Sequence, residues 1–140
     1  MDPKDFISLA ERLVCEGQKN ANLRTATNRA YFAAHHVGSE ILGKLTFTIP
    51  RNQHAHQEVV DMLQNSGEED VEVVGVQLQD LYAARRRADY ELKDGRPEKL
   101  NTVRGHVTQA KKMIASLEGC LTEPKRSRIL ASIRAWDQQR

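Results

Sequence analysis

Arg29 and His36 are the residues of this chain whose types and spacing best suit chemistry. A guanidinium keeps its charge at any working pH and grips phosphate oxygens in a fixed fork. An imidazole, with an ordinary pKa of about 6.5, serves as base or acid near neutrality. The pair therefore offers proton transfer beside a held phosphate. Seven residues make about two helical turns, so the two side chains project nearly together, with Cα atoms ~10.5 Å apart. The structural alternative is that both residues hydrogen-bond across a subunit interface or cap a neighbouring helix.

The element that must position them is a helix from Asn22 to Leu45, free of proline and with Gly38 inside it. Ala26, Ala30, Ala33, Val37 and Ile41 recur at three- and four-residue steps and form one apolar face. Because that face is mostly alanine, neighbouring backbones can come close, which predicts a central helix. Beside it runs a stripe of Thr25, Arg29, Phe32, His36 and Glu40. The helical wheel places His36 at the edge of the core stripe, next to Arg29. It places His35 on the far side, in line with Asn28, Tyr31 and Gly38, facing solvent or a partner.

The same periodicity predicts a first helix over residues 3 to 16, with Asp2 as N-cap, Pro3 at the first position and Gly17 as the stop. A loop over Thr46 to Gln53 leads to a third helix, His54 to Gln64, broken at Asn65-Ser66-Gly67. A fourth starts around Glu68 to Asp70 and ends after Leu92, a fifth runs from Pro97 to Leu121, and a short last helix covers Arg126 to Gln138. The fold class expected is all-α: an antiparallel up-and-down bundle of four to five main helices plus a short C-terminal helix. Residues 1–122 form the bundle. Residues 123–140 form a basic amphipathic helix, in the same domain or appended to it, and the segment most readily detached.

The chain has 140 residues, a net charge of +2, 39% hydrophobic and 29% charged residues, which fits one well-solvated helical domain. So mild a basic excess does not by itself indicate nucleic acid. Cys15 and Cys120 show no paired spacing and read as small core or half-buried thiols in a reducing compartment. The charged N-terminus does not read as a secretory signal, and no apolar run approaches the ~18 residues of a membrane span. A cytoplasmic location and no membrane association are expected.

Two segments together resemble the HEPN domains, closest to their small prokaryotic branch. The first is Asn28-Arg29-Ala30-Tyr31-Phe32-Ala33-Ala34-His35-His36; the second is Leu81-Tyr82-Ala83-Ala84-Arg85-Arg86-Arg87-Ala88-Asp89-Tyr90. His56 also falls where that branch often carries a histidine. The resemblance covers roughly residues 5 to 120 and implies a HEPN-like bundle that forms a homodimer. It also implies an arginine–histidine motif at the dimer interface that many members use for metal-independent RNA cleavage. Here that motif is Arg29 with His35 or His36, and the wheel favours His36. Asn28, Tyr31 and His35 are then candidate auxiliaries. Small members often pair with a minimal nucleotidyltransferase as toxin and antitoxin. Active members frequently carry a polar residue after the arginine, where this chain has Ala30. Others are RNA- or nucleotide-binding modules without activity.

The remaining candidates have plainer readings beside the functional ones. Arg85 and Asp89 stand at i,i+4 and are expected to pair. Arg86 and Arg87 either extend an RNA-binding surface or are simply solvated. Tyr90 reads as a buried anchor, and Tyr31 and Phe32 as packing. Lys125, Arg126, Arg128 and Arg134 bind RNA or form a solvated face. His54, His56 and Glu58 resemble a ligand cluster, but a spacing of two on a helix separates them; no Glu-x-x-His, Gly-rich phosphate loop or Gly-x-Ser-x-Gly is present. No metal or other cofactor is expected.

Overall fold

The computed structural model describes residues 1–16 and 19–140. It contains six α-helices: α1 (Asp5–Cys15), α2 (Asn20–Lys44), α3 (Ala55–Gln64), α4 (Glu69–Tyr90), α5 (Leu100–Glu118) and α6 (Lys125–Gln139). Short 3-10 turns occupy Arg96–Glu98 and Gly119–Leu121. Among the described residues there is no strand, and no helix is long and apolar enough to cross a membrane. The protein is all-α, and its helices lie within a few residues of those expected from periodicity.

Where the ends differ, local chemistry explains it. The Asp2 carboxylate accepts the Lys4 N–H at 2.9 Å and holds a turn ahead of α1, so the helix proper begins at Asp5. Pro97 lies in the 3-10 turn, and α5 starts after it, at Leu100. The proposed stop at Gly17 lies outside the described residues.

Side-chain contacts give the helix directions. Lys4 pairs with Glu118 and Glu11 with Lys111, so α1 and α5 run antiparallel. Thr27 meets His106 and Gly38 lies against Leu117, so α2 and α5 run parallel. Arg24 reaches Ala88 and the Tyr31 ring lies 5.5 Å from that of Tyr82, so α4 runs against α2. The four helices α1, α2, α4 and α5 thus alternate in direction. The short α3 runs antiparallel to α4: its end, Gln64, touches Gly75, and its start, His56, stacks on Tyr82.

Helix α2 is surrounded. Its buried positions include Ala26, Ala30, Ala33, Val37 and Ile41, as the periodicity predicts, but also Arg24, Thr27, Tyr31, Ala34, His35 and Leu42. Small residues make this possible. At Gly38 a Cβ would stand 3.3 Å from Val59, and at Gly75 it would stand 2.8 Å from Gln64, so α3 is clamped against α2 and α4 with no spare space.

Arg24 does what no sequence pattern signalled. Its guanidinium is buried and donates to the carbonyls of Arg87, Ala88, Glu91, Leu92 and Asp94, at distances of 2.7 to 3.3 Å, and to the Glu98 carboxylate at 2.9 Å. The last carbonyls of α4 have no partners within the helix, and a cation at that end satisfies them and meets the negative dipole. The helix stops at Tyr90 rather than Leu92, and the Glu91 and Leu92 carbonyls that follow accept from Arg24.

Helix α6 lies on the bundle. Ile129 and Ile133 join the core. Lys125 pairs with Asp70, Arg128 with Glu68, and Arg126 donates to the Lys44 carbonyl. Arg134 reaches the Thr46 hydroxyl. Of the basic residues read as RNA ligands or a solvated face, Lys125 and Arg126 are half-buried against α4 and the end of α2, while Arg128 and Arg134 stay exposed.

Candidate functional site

The outward stripe of α2 carries Arg29 and His36, with two aromatic rings between them. The Arg29 guanidinium carbon lies 4.9 Å from the Phe6 ring centroid and 5.4 Å from that of Phe32. The His36 ring stacks on the same two rings, at 6.1 Å and 5.8 Å. A cation over an aromatic face is held by the ring quadrupole, so Phe6 of α1 and Phe32 fix Arg29 without neutralising it. Arg29 makes no ion pair among the described residues, and His36 is exposed.

The wheel reading of the two histidines is reversed. His35 is buried, at 9% exposure, and His36 stands in solvent rather than at the core edge. The stripe of Asn28, Tyr31, His35 and Gly38 does not face outward, because α3 and α4 cover it. Tyr31 is buried, as packing predicts, yet its hydroxyl is used: it lies 2.8 Å from His56 Nδ1. His56 stacks on Tyr82 at 3.9 Å, and His35 stacks on Tyr31 at 5.7 Å.

Burial sets the protonation of this cluster. The His35 pKa is lowered to about 4, first by desolvation and then by the neighbouring His36 and His56. His56 is also lowered to about 4, by desolvation and then by Arg85. Both rings are therefore neutral at pH 7. The Tyr31 phenol is raised above its ordinary value by burial, with Arg85 opposing. Nδ1 of His35 has no hydrogen-bond partner.

Arg85 is the cation at the centre. Its guanidinium sits 5.3 Å from the Tyr31 ring, 5.5 Å from Phe32 and 5.1 Å from Tyr82. It pairs with Asp89 at 3.3 Å, as the i,i+4 spacing predicts. Asp89 in turn accepts from Asn28 Nδ2 at 2.8 Å. A carboxylate only accepts, so it turns the Asn28 amide to present its oxygen the other way, and that oxygen accepts from Arg29 Nε at 2.8 Å. Asp89 and Asn28 thus aim Arg29 across two helices.

Two open clefts meet at His36 and Ser39. One, of about 700 Å³, lies between α2 and the Phe47–Asn52 loop; the other, of about 320 Å³, lies beside Pro3 and Phe6. Arg86 stands apart from Arg29, exposed and flanked by the Tyr82 and Tyr90 rings at 5.9 and 5.3 Å, while Arg87 is half-buried. Tyr90 is 67% exposed, which corrects its reading as a buried anchor: it occupies the last position of α4, with its ring against the exposed Arg86. Cys120 is buried and Cys15 exposed, so only Cys120 is a core thiol.

Of the residues expected at the site, Asn28, Arg29, Tyr31, His35 and His36 come together. Arg86 touches only its Tyr82 edge. The residues missed are Phe6, Tyr82 and the positioning role of Asp89, all brought in by helix packing. His56 was noticed through the resemblance and, with His54 and Glu58, as a cluster that helical spacing separates. Among the described residues, no group of three or more His, Cys, Asp or Glu side chains is arranged to hold a metal. No family model, curated protein or solved structure matches the chain.

Proposed function

We propose that this chain is a HEPN-type endoribonuclease that cleaves RNA without a metal, as a homodimer, and serves as the toxin of a toxin–antitoxin pair with a nucleotidyltransferase antitoxin. The observation that carries the reading is the convergence of Arg29 and His36 on Phe6 and Phe32 at an accessible face. Such cleavage needs a base for the 2′-hydroxyl, a cation for the charged phosphorane and an acid for the leaving oxygen. His36 takes the proton from the 2′-hydroxyl as its oxygen attacks phosphorus. Arg29 holds the phosphorane oxygens. The bond to the 5′-oxygen breaks, and the histidine of a second copy protonates it, leaving a 2′,3′-cyclic phosphate. One chain offers one such pair, so the mechanism requires the dimer.

The test incubates wild type and His36→Ala with labelled RNA in EDTA and maps the fragment ends. Cyclic-phosphate ends from wild type, lost in a still-dimeric His36→Ala, support the proposal. No cleavage of several RNAs by a folded dimer rejects it.

The second reading is a non-catalytic HEPN module that binds RNA, a nucleotide or a partner protein. Ala30 favours it, because that residue is fully buried and offers no polar group beside Arg29. RNA binding that survives His36→Ala, with no cleavage by wild type, would select this reading.

A further inference from the structure

The larger cleft beside His36 has no part in the proton transfers above, yet its walls suit a particular guest. We propose that it seats one nucleotide of single-stranded RNA, next to the phosphate held at Arg29 and His36, with the base against Phe47 and Ile49 and the outer phosphate on Arg51. This rests on the nuclease reading, whose site it extends.

The cleft measures about 700 Å³, within the range of roughly 300–1,000 Å³ typical of small-ligand sites. One wall is α2, with His35, His36, Ser39 and Gly43; the other is the loop from Phe47 to Asn52. Phe47, Ile49 and Pro50 are half-buried, so they pack inward and still present apolar surface to the cleft. Aromatic and apolar faces take a base of any identity by stacking. Ser39 and Asn52 add groups that both donate and accept.

Charge points the same way. Arg51 is exposed and makes no hydrogen bond or ion pair among the described residues, and no acidic side chain lines the cleft. On the α2 wall His35 is more than nine-tenths buried, and its Nδ1 has no hydrogen-bond partner. It is an uncharged imidazole at neutral pH, with one ring nitrogen to donate and one to accept. The continuity of the cleft with His36 sets the order of the guest: one phosphate at the histidine, one base in the cleft, the next phosphate on Arg51. A base must leave its stack to enter, which selects single strands over duplex.

Gly43 makes the idea testable without touching the candidate catalytic residues. A Cβ there meets nothing within 4 Å, so a longer side chain enters the cleft without straining the helix. The probe is a fluorescein-labelled 2′-O-methyl RNA hexamer, which binds but lacks the attacking hydroxyl. Anisotropy titrations compare wild type, Arg51→Ala, Gly43→Gln and Gly43→Ala, with helicity checked by circular dichroism. Arg51→Ala is expected to weaken binding about five-fold and to lower the salt slope by about 0.7, the value of one phosphate contact on a single strand. Gly43→Gln, which blocks the stacking surface, is expected to weaken binding about ten-fold, and Gly43→Ala by less than about two-fold. Wild-type binding that ignores both Arg51→Ala and Gly43→Gln overturns the subsite and leaves the nuclease reading standing. A wild type that fails to bind the hexamer also overturns it, and the cleavage assay then decides separately whether the nuclease reading falls with it.

Discussion

The Tyr31 hydroxyl lies 2.8 Å from Nδ1 of His56 and ties the central helix to α3. Burial raises the phenol's pKa and lowers that of the imidazole, so two neutral groups share this hydrogen bond. Tyr31→Phe removes the hydroxyl and leaves Nδ1 of the half-buried His56 without its partner. The expected loss is about 1–2 kcal/mol in urea denaturation. In a double-mutant cycle, His56→Gln should then cost less in the Tyr31→Phe background than in wild type. Additive losses would mean that the two groups do not interact.

Two neutral histidines make folding sensitive to acid. His35 and His56 have folded pKa values of about 4, below the ordinary 6.5 they regain on unfolding. Between those values the unfolded chain binds more protons. Stability is therefore full above about pH 6.5 and falls as the pH drops toward 4, by at most about 1.4 kcal/mol per unit for each histidine. Denaturation midpoints across this window should decline in wild type and decline less steeply in His35→Gln. Equal slopes would rule out His35 as a source of the effect.

Asp89 acts on Arg29 through Asn28. Asp89→Asn supplies an amide that can donate as well as accept, so the Asn28 side chain is free to turn its nitrogen toward the guanidinium. If, as proposed, the chain cleaves RNA and Arg29 grips the scissile phosphate, cleavage by Asp89→Asn should fall about ten-fold or more, mainly in kcat, with helicity unchanged. Asn28→Ala should produce the same loss, and the double variant no more than either alone. Full activity in Asn28→Ala would separate this relay from the chemistry.

Arg24 holds the end of α4 together. Arg24→Met leaves several carbonyls uncapped and the Glu98 carboxylate without its partner, and should cost about 3–5 kcal/mol. Arg24→Lys should recover only part of that, because an ammonium cannot spread its donors over the same carbonyls. Hydrogen exchange in the last turn of α4 should accelerate in both variants before the rest of the helix responds.

Two glycines predict opposite signs for the same substitution. Gly105 lies in α5 with nothing within 4 Å of an added Cβ, so Gly105→Ala should stabilise by about 0.5–1 kcal/mol through helix propensity alone. At Gly75 the added Cβ would stand 2.8 Å from Gln64 Cγ, 3.2 Å from its backbone nitrogen and 3.3 Å from Leu63 Cβ. Gly75→Ala should therefore lower the denaturation midpoint despite the same gain in propensity, because α3 must move away from α4. A rise in midpoint for both variants would show that the α3–α4 contact has slack.

The sequence by itself determined the helices, their approximate ends and the apolar face of α2, because these follow from local propensity and a period of 3.6 residues. It also determined the Arg85–Asp89 pair, which one helix sets unaided. It grouped Arg29 with His36 on one stripe for the same reason. It did not determine which stripes of α2 are covered. That helix is surrounded by α1, α3, α4 and α5, so Tyr31 and His35 are buried as well as the alanine face, and Asn28 is half-buried. A wheel ranks faces by polarity, but burial depends on what packs against them. His35 went inside because α3 and α4 lie over it, where desolvation keeps it neutral. Arg24 became a cap because the end of α4 arrives beside it, more than sixty residues later in the chain. Phe6 met Arg29 and His36, His56 and Tyr82 met Tyr31, and Asp89 met Asn28 only when four helices closed around one, and that closure decided which candidate histidine reaches solvent.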